Sequence, residues 1–478
     1  MTKPTKKTTT SKSTKWRTIN YTGAAASALC ALSAAGQSSD ALINKLLQKG
    51  VLTEQEAKEL REEQISTNLV SASKWKLSDG IKGIQLYGDF RLRYEYRSAE
   101  NAIGTGVPGS SYQRDRFRYA VRLGLRGDLF DNWYYGLRLE TSANPRSTWI
   151  TFGDDSNPTP SAKNSDTFGI GQVYMGWKPA SWLDITVGRM PQPIYTTPMV
   201  WDGDINPEGA VERFKLPIGP VELFATFGQF LYQDTDPDRH LPSTDTFLLA
   251  WQVGASVKLP HDMGFKVAPV VYNYTGHGQR GGLNVPFSGQ GATNGLNPNN
   301  TAALNQNGIN DLLIVEVPAE FNFKVGHFGA RVFGDVAYNI DGDERARAAA
   351  AAAGLPEAHT NEQLAWQAGV GFGNLGLVYG QTSKKNTWEA RVYWQHIEQY
   401  ALDVNLLDSD FFEGRGNLQG IFSAVAYSFS DNIIGTFRYG YANRINHDLG
   451  TGGNNPDLPN LNPIKNYHIL QADLTYRF

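Results

Sequence analysis

Four arginines stand in the twelve residues RFRYAVRLGLRG, and all four fall on one parity: Arg116, Arg118, Arg122 and Arg126. Small residues, Ala120 and Gly124, fill the gaps in that row, while Phe117, Tyr119, Val121, Leu123 and Leu125 take the alternate places. Successive side chains of an extended chain point to opposite faces, so the stretch is a strand with one cationic and one apolar face. A row of guanidiniums is chemistry for oxyanions, since each is a permanent charge with a donor fork that fits a carboxylate or phosphate. A second reading stands beside it: the arginines pair with neighbouring acids and hold a wall together.

Other chemistry is sparse. The eight histidines are scattered, and none joins a serine and an acid in a recognisable catalytic arrangement; His240 and His277 fall between apolar-periodic segments. No metal-ligand spacing, phosphate-binding loop or nucleotide fingerprint occurs, so neither catalytic residues nor a metal or cofactor is expected. A formal net charge of −3 gives no reason to expect nucleic acid as a partner. The one cysteine, Cys30, excludes an intramolecular disulfide framework.

The elements that must position the arginines come from the period-two alternation. IQLYGDFRLRYEYR places Ile84, Leu86, Phe90, Leu92, Tyr94 and Tyr96 on one face, with Asp89, Arg91, Arg93, Glu95 and Arg97 on the other. Comparable segments recur near residues 133–142, 167–178, 182–189, 209–216, 220–232, 246–259, 265–275, 311–324, 327–340, 364–379, 387–400, 417–429, 432–444 and 466–478, making about sixteen strands. Most have the roughly 9–12 residues that a tilted strand needs to cross a bilayer. The connections alternate between tight turns (DLFDN, PAS, PIG, PHDMG, VG, SD) and long Gly/Asn/Asp/Pro-rich loops.

Alternating turns and loops suit an up-and-down barrel, with its short turns on the periplasmic side and long loops outside. A soluble antiparallel sandwich would also alternate, but sixteen amphipathic strands would give a core far beyond ordinary domain size. No apolar run of 18 residues exists and the mean hydropathy is −0.39, so helical spans are excluded. Aromatics near strand ends (Trp133, Trp177, Trp182, Trp388, Tyr439, Tyr441) suit interfacial girdles. The fold class is therefore all-β, a transmembrane antiparallel β-barrel of about sixteen strands preceded by a short helical segment.

Residues 1–36 carry a basic, acid-free start and the apolar stretch GAAASALCALSAAG, the pattern of an export signal. Leu29 before Cys30 argues against lipoprotein processing. Residues 37–80 contain DALINKLLQKGVLTEQEAKELREEQ, two short helices around Gly50 with a capping box at Thr53 and Glu56. That segment either packs against another copy or another protein, or is a solvated periplasmic tether. The barrel takes residues 81–478.

Its last strand, NYHILQADLTYRF, sets Leu470, Ala472, Leu474, Tyr476 and Phe478 on one face and resembles the C-terminal signature that barrel assembly machinery recognises. With LINKLLQKGVLTEQEAKEL and VGRMPQPIYTTPMVWDGDINPEGA, it makes the chain from about residue 40 similar to the putative porin family of Gram-negative outer-membrane proteins. The resemblance implies an outer-membrane location and passive diffusion of small hydrophilic solutes through a water-filled pore, in a homotrimer. It supplies no particular solute.

If the apolar faces meet lipid, Arg91, Arg93, Arg97, Arg116, Arg118, Arg122, Arg126 and Arg138 line one wall of the lumen, with Asp89, Glu95 and Glu140 among them. Arginine on the lipid face near the midplane would cost about 2–4 kcal/mol each, which fixes the orientation. Ala120 and Gly124 then leave room for an open lumen. General porins fold their third long loop inside, and the third long connection here is MPQPIYTTPMVWDGDINPE with Asp202, Asp204 and Glu208. Stiffened by its prolines, it is the expected constriction, an acidic loop facing an arginine wall. An ordinary extracellular loop, or a calcium-binding loop, is the alternative. Glu316, Glu320 and Glu389 make the opposite wall more acidic, offset by Lys324, Arg331, Arg391 and Arg438. Three functions follow: a passive porin; a substrate-selective anion or phosphate channel using the arginine row; and, least supported, an outer-membrane enzyme. DERARAAAAAAGL should form a helix in a loop.

Overall fold

The computed structural model describes residues 80–101, 111–142, 146–153, 167–234, 245–275, 309, 311–353, 357–374, 384–453 and 461–478. The export signal and the paired helices expected before residue 80 lie outside these residues.

The alternating segments form β1 (Gln85–Asn101), β2 (Ser111–Asp128), β3 (Trp133–Thr141), β4 (Ile150–Thr151), β5 (Phe168–Ala180), β6 (Leu183–Arg189), β7 (Glu208–Ile218), β8 (Val221–Gln233) and β9 (Thr246–Leu259). They continue as β10 (Met263–Val267), β11 (Val270–Thr275), β12 (Leu313–Val325), β13 (Phe328–Asn339), β14 (Leu364–Gly373), β15 (Trp388–Ile397), β16 (Leu418–Ser428), β17 (Ile433–Arg444) and β18 (Ile464–Arg477). Pairing is antiparallel throughout, and β18 closes on β1 with Leu92 opposite Leu474. The two-residue β4 only flanks β2, and β10 and β11 both lie between β9 and β12 as halves of one stave interrupted at Ala268 and Pro269. Sixteen staves therefore close the barrel. Proline has no N–H for a ladder, which accounts for the interruption.

Burial is inverted relative to a water-soluble protein. Leu86, Phe117, Val173, Val187, Leu216 and Val253 are each more than half exposed, while Arg93, Glu95, Arg97, Arg116 and Arg118 are buried. Alternation puts the first set on the outer face and the second on the inner one. Closure leaves no unpaired sheet edge, as a wall standing in hydrocarbon requires. Stacked pairs mark the short-turn end: Trp133 on Trp177 at 5.6 Å, and Trp182 on Phe214 at 6.0 Å. At the seam the Gly88 amide donates to the Phe478 carbonyl at 3.0 Å, and the Phe478 ring stacks on Phe90 at 5.6 Å.

One α-helix occurs among the described residues, α1 (Gly342–Ala353), in the β13–β14 connection. Its alanines Ala346 and Ala349 pack against Tyr400 and Leu449, and Arg345 is fully buried beside them.

Candidate functional site: the interior of the barrel

Glu95 is the hub of the arginine wall. Completely buried on β1, it accepts from Arg97 Nε at 2.8 Å, Arg116 Nε at 2.7 Å and Arg118 Nη1 at 3.4 Å, with Arg93 3.6 Å away. Gln471 on β18 donates to Glu95 Oε2, the oxygen that Arg118 also reaches, at 3.1 Å. Arg93 in turn grips Asp473 on β18 at 2.8 Å and Asp410 at 3.0 Å. Arg97 also holds Glu413, Arg91 holds Asp89 at 2.8 Å, and Arg138 holds Glu140 at 2.8 Å. Arg122 reaches Asp204, with Glu140 at 3.9 Å. Arg126, near the turn, instead takes Gln85 at 2.9 Å and the Tyr87 ring at 4.9 Å. Trp149 slides its ring under Arg93 at 4.0 Å and Arg91 at 4.8 Å. Buried charges persist only when paired and hydrogen-bonded, and this wall meets that condition with acids drawn from β1, β3, β18 and two loops. The place expected to be open beside Gly124 is filled instead: a Cβ there would stand 2.3 Å from the Tyr87 ring.

Residues 190–207, between β6 and β7, cross the lumen. Two glycines opposite each other, Gly188 (φ 123°) and Gly209 (φ 152°), let the chain leave the wall. A side chain would be strained at either φ, and its Cβ would meet Val173 O at 2.3 Å or Gln229 O at 2.1 Å. On the far side Tyr195 is clamped by Gln252, whose oxygen accepts from the Tyr195 amide at 2.9 Å while its amide donates to the Tyr195 carbonyl at 2.7 Å. Thr196 donates to Glu316 at 2.7 Å and Thr197 to Asp335 at 2.5 Å. Trp201 packs edge-on to Phe230 at 6.0 Å, and Met190, Ile194, Met199 and Val200 are buried with it. The segment then returns to the first wall, where Asp204 meets Arg122 and Gln172 donates to Asn206 at 2.8 Å.

A second segment, residues 398–417 between β15 and β16, also lies inside. Asp403 accepts from Tyr232 at 2.8 Å and Tyr274 at 2.9 Å, and Glu413 from Tyr467 at 2.7 Å. The two segments lock to each other: the Asp202 amide donates to Leu406 O at 2.6 Å, and the Ser409 amide to the Asp202 carboxylate at 3.1 Å. Arg146 clips the junction by donating to the carbonyls of Val404 at 3.0 Å and Leu407 at 2.6 Å.

Of the three acids expected on the constriction, Asp202 and Asp204 lie within this junction and Glu208 does not. Glu208 shares the outward parity of Leu216 and Ile218 and pairs with Arg189 at 3.4 Å. The opposite-wall acids also separate. Glu316 is buried under the crossing segment, where it also accepts from Tyr272 at 2.7 Å; Glu320 is paired with Arg331; and Glu389 stands on β15.

Electrostatics distinguish the junction acids. Burial and the adjacent Asp408 and Asp204 push Asp202 well above the usual carboxylate range. Burial also acts to raise Asp204, but Arg122 and Arg91 outweigh it and hold that carboxyl below the usual range. Burial and Asp410 push Asp408 up to about 7. A raised folded-state pKa means the proton favours the docked arrangement. That contribution is complete below the ordinary value of 3.8 and is lost as pH rises through about 7. Single-channel current fluctuations are therefore expected to increase several-fold from about pH 6 to about pH 8. Asp408→Asn should flatten the response, and a variant that retains it in full would exclude Asp408 as its source.

The second inserted segment was not anticipated from sequence. Its signal was available: VNLLDSDFFEGR sets Leu406, Leu407, Phe411 and Phe412 among three acids, more apolar surface than a solvated loop needs.

The model of the family described as putative porin matches residues 101–322 and 310–478. No curated protein sequence matches this chain. Among solved structures, an anion-selective porin from Comamonas acidovorans aligns with a TM-score of 0.43 at 10% identity, covering 83% of this chain and 99% of that one. A triple mutant of the Rhodopseudomonas blastica porin gives 0.38 at 10% identity, covering 83% and 100%. A loop-deletion mutant of an outer membrane protein of Vibrio cholerae gives 0.38 at 9% identity, covering 83% and 99%.

Proposed function

The chain belongs to the putative porin family, and from that premise we propose a water-filled channel for passive diffusion of ions and small hydrophilic solutes across the outer membrane. The observation that carries this reading is the inverted burial, with an apolar belt outside and a charged interior crossed by two segments. Arg91, Arg93, Arg97, Arg116, Arg118, Arg122 and Arg138 form one side of the eyelet, and Asp202 and Asp204 the edge that faces it. In planar bilayers the purified protein should give ion-conducting steps, and their absence would overturn the reading. Arg118→Glu with Arg122→Glu should move the reversal potential in a salt gradient toward cations. Heat-modifiable gel mobility checks that the variant has folded, and an unmoved potential in a folded variant would remove these arginines from the eyelet.

An anion ladder along the arginine row is the weaker reading, because seven of its eight members already hold a carboxylate.

The outward face supports assembly into a homotrimer. Besides Arg189 and Glu208, Glu212 stands on the outward parity of β7 and accepts from Gln229 on β8 at 2.9 Å. Charged groups facing hydrocarbon cost up to about 2–4 kcal/mol at mid-depth, a penalty that cover by a neighbouring copy removes. Cysteine at Glu212 should cross-link copies through a short bifunctional reagent; monomers alone would contradict this face.

A further inference from the structure

On the short-turn side of the crossing segment the lumen contains a cavity of about 830 Å³. Pro193 and Tyr195 of the segment form its ceiling, and Asn132 and Ser181 of the turns lie at its floor. Into it project Lys178 from β5, Arg213 and Lys215 from β7, and Lys266 from β10, against only two acids, Asp184 and Glu222.

The balance here differs from that of the arginine wall. Asp184 is engaged by Arg213 at 2.9 Å. Among the described residues, none of the three lysines has a carboxylate within 4.0 Å. Aromatic rings hold two of them: Lys178 lies 4.9 Å from the Tyr134 ring centre, and Lys266 3.5 Å from that of Tyr195. A ring steadies an ammonium through its quadrupole without cancelling the charge, so the hydrogen-bonding capacity of both amines is still available. Gln252, Thr226 and Ser256 add neutral polar groups to the same lining. Cations gathered in a low-dielectric cleft focus their field and raise the local concentration of anions by tenfold or more.

We propose that this cavity is a binding site for a multivalent oxyanion, a phosphate or a small polycarboxylate, held between Lys178, Lys215 and Lys266 at the short-turn mouth of the channel. Lysines suit this role as mobile point charges able to follow an ion in transit, whereas the wall arginines are locked to their acids. Gln252 ties the site to the eyelet, since it lines the cavity and clamps Tyr195 in the ceiling.

The inference rests on the channel reading, and its test separates the two. Chloride current through the purified full chain is recorded in planar bilayers while inorganic phosphate or citrate is added to each side in turn. A saturable reduction of current is expected, with lower half-blocking concentration from the short-turn side. Lys178→Gln, Lys215→Gln and Lys266→Gln combined should raise that concentration at least tenfold. The single variant Lys215→Gln serves if the triple one does not fold, with a smaller shift in the same direction. Lys324→Gln, an exposed lysine at another turn paired with Asp262, should leave the block unchanged. Block by phosphate alone identifies the site as phosphate-type, and block by citrate alone as carboxylate-type. Absence of any conducting step would defeat the channel reading; steps without saturable block, or block indifferent to the lysines, would defeat the cavity site alone.

Discussion

Replacing Glu95 with glutamine is expected to lower the thermal stability of the folded barrel sharply and to shift its selectivity toward anions. The side chain keeps its size and its carbonyl acceptor, so the change reports charge. Four guanidiniums converge on this one carboxylate, Arg97 at 2.8 Å, Arg116 at 2.5 Å, Arg118 at 3.4 Å and Arg93 at 3.6 Å. Removing one partner of a buried ion pair typically costs about 3–5 kcal/mol, because the other charge is left uncompensated. Arg93 and Arg97 also hold Asp473, Asp410 and Glu413, so the loss of Glu95 is felt across a connected network rather than by one pair. The temperature of the heat-modifiable mobility shift and the reversal potential are the two measurements. A variant as stable and as selective as the parent would mean that the network does not need its hub.

Shortening residues 191–206 to a Gly-Ser turn should raise single-channel conductance several-fold. The crossing segment occupies the lumen at mid-course and is held there by buried apolar groups as much as by hydrogen bonds. Met199, Ile194 and Trp201 are at most 4% exposed. Full burial of an apolar side chain of this size is worth about 1.5–3 kcal/mol, so the segment does not swing out on its own. The deletion also removes Pro198 and Asp202, the contacts that dock the second segment. Both obstructions should therefore loosen together. Conductance equal to that of the parent would show that the narrowest point lies elsewhere.

The strands were readable because their signal is local. Alternation in a stretch such as residues 84–97 states which side faces water, and the neighbouring turns state where to stop. The apolar pattern suggested residues 364–379; β14 covers Leu364–Gly373, the Asn374 amide donates to Trp388 O at 3.1 Å, and 375–379 lie outside the described residues. The partners of the arginines were much less readable. Asp473 lies 380 residues from Arg93 and meets it only because the last strand closes on the first. Asp410 and Glu413 sit in a segment with no periodicity at all, and nothing local says whether such a loop points into the barrel or away from it. Glu208 failed for a related reason: it was grouped with Asp202 and Asp204 by proximity in the chain, whereas strand parity turns it outward.

A thin-walled tube loaded from the side fails by flattening, and its resistance depends on what spans its cross-section. The segment after β6 spans one chord of this tube, from the β6–β7 edge to Glu316 on β12 and Asp335 on β13. The segment after β15 spans others, reaching Arg93 on β1 and Tyr232 on β8. Their hydrogen bonds at Asp202, Leu406 and Ser409 pin the chords where they meet. The same residues that narrow the passage thus act as cross-struts, holding the wall round against the lateral pressure of the membrane.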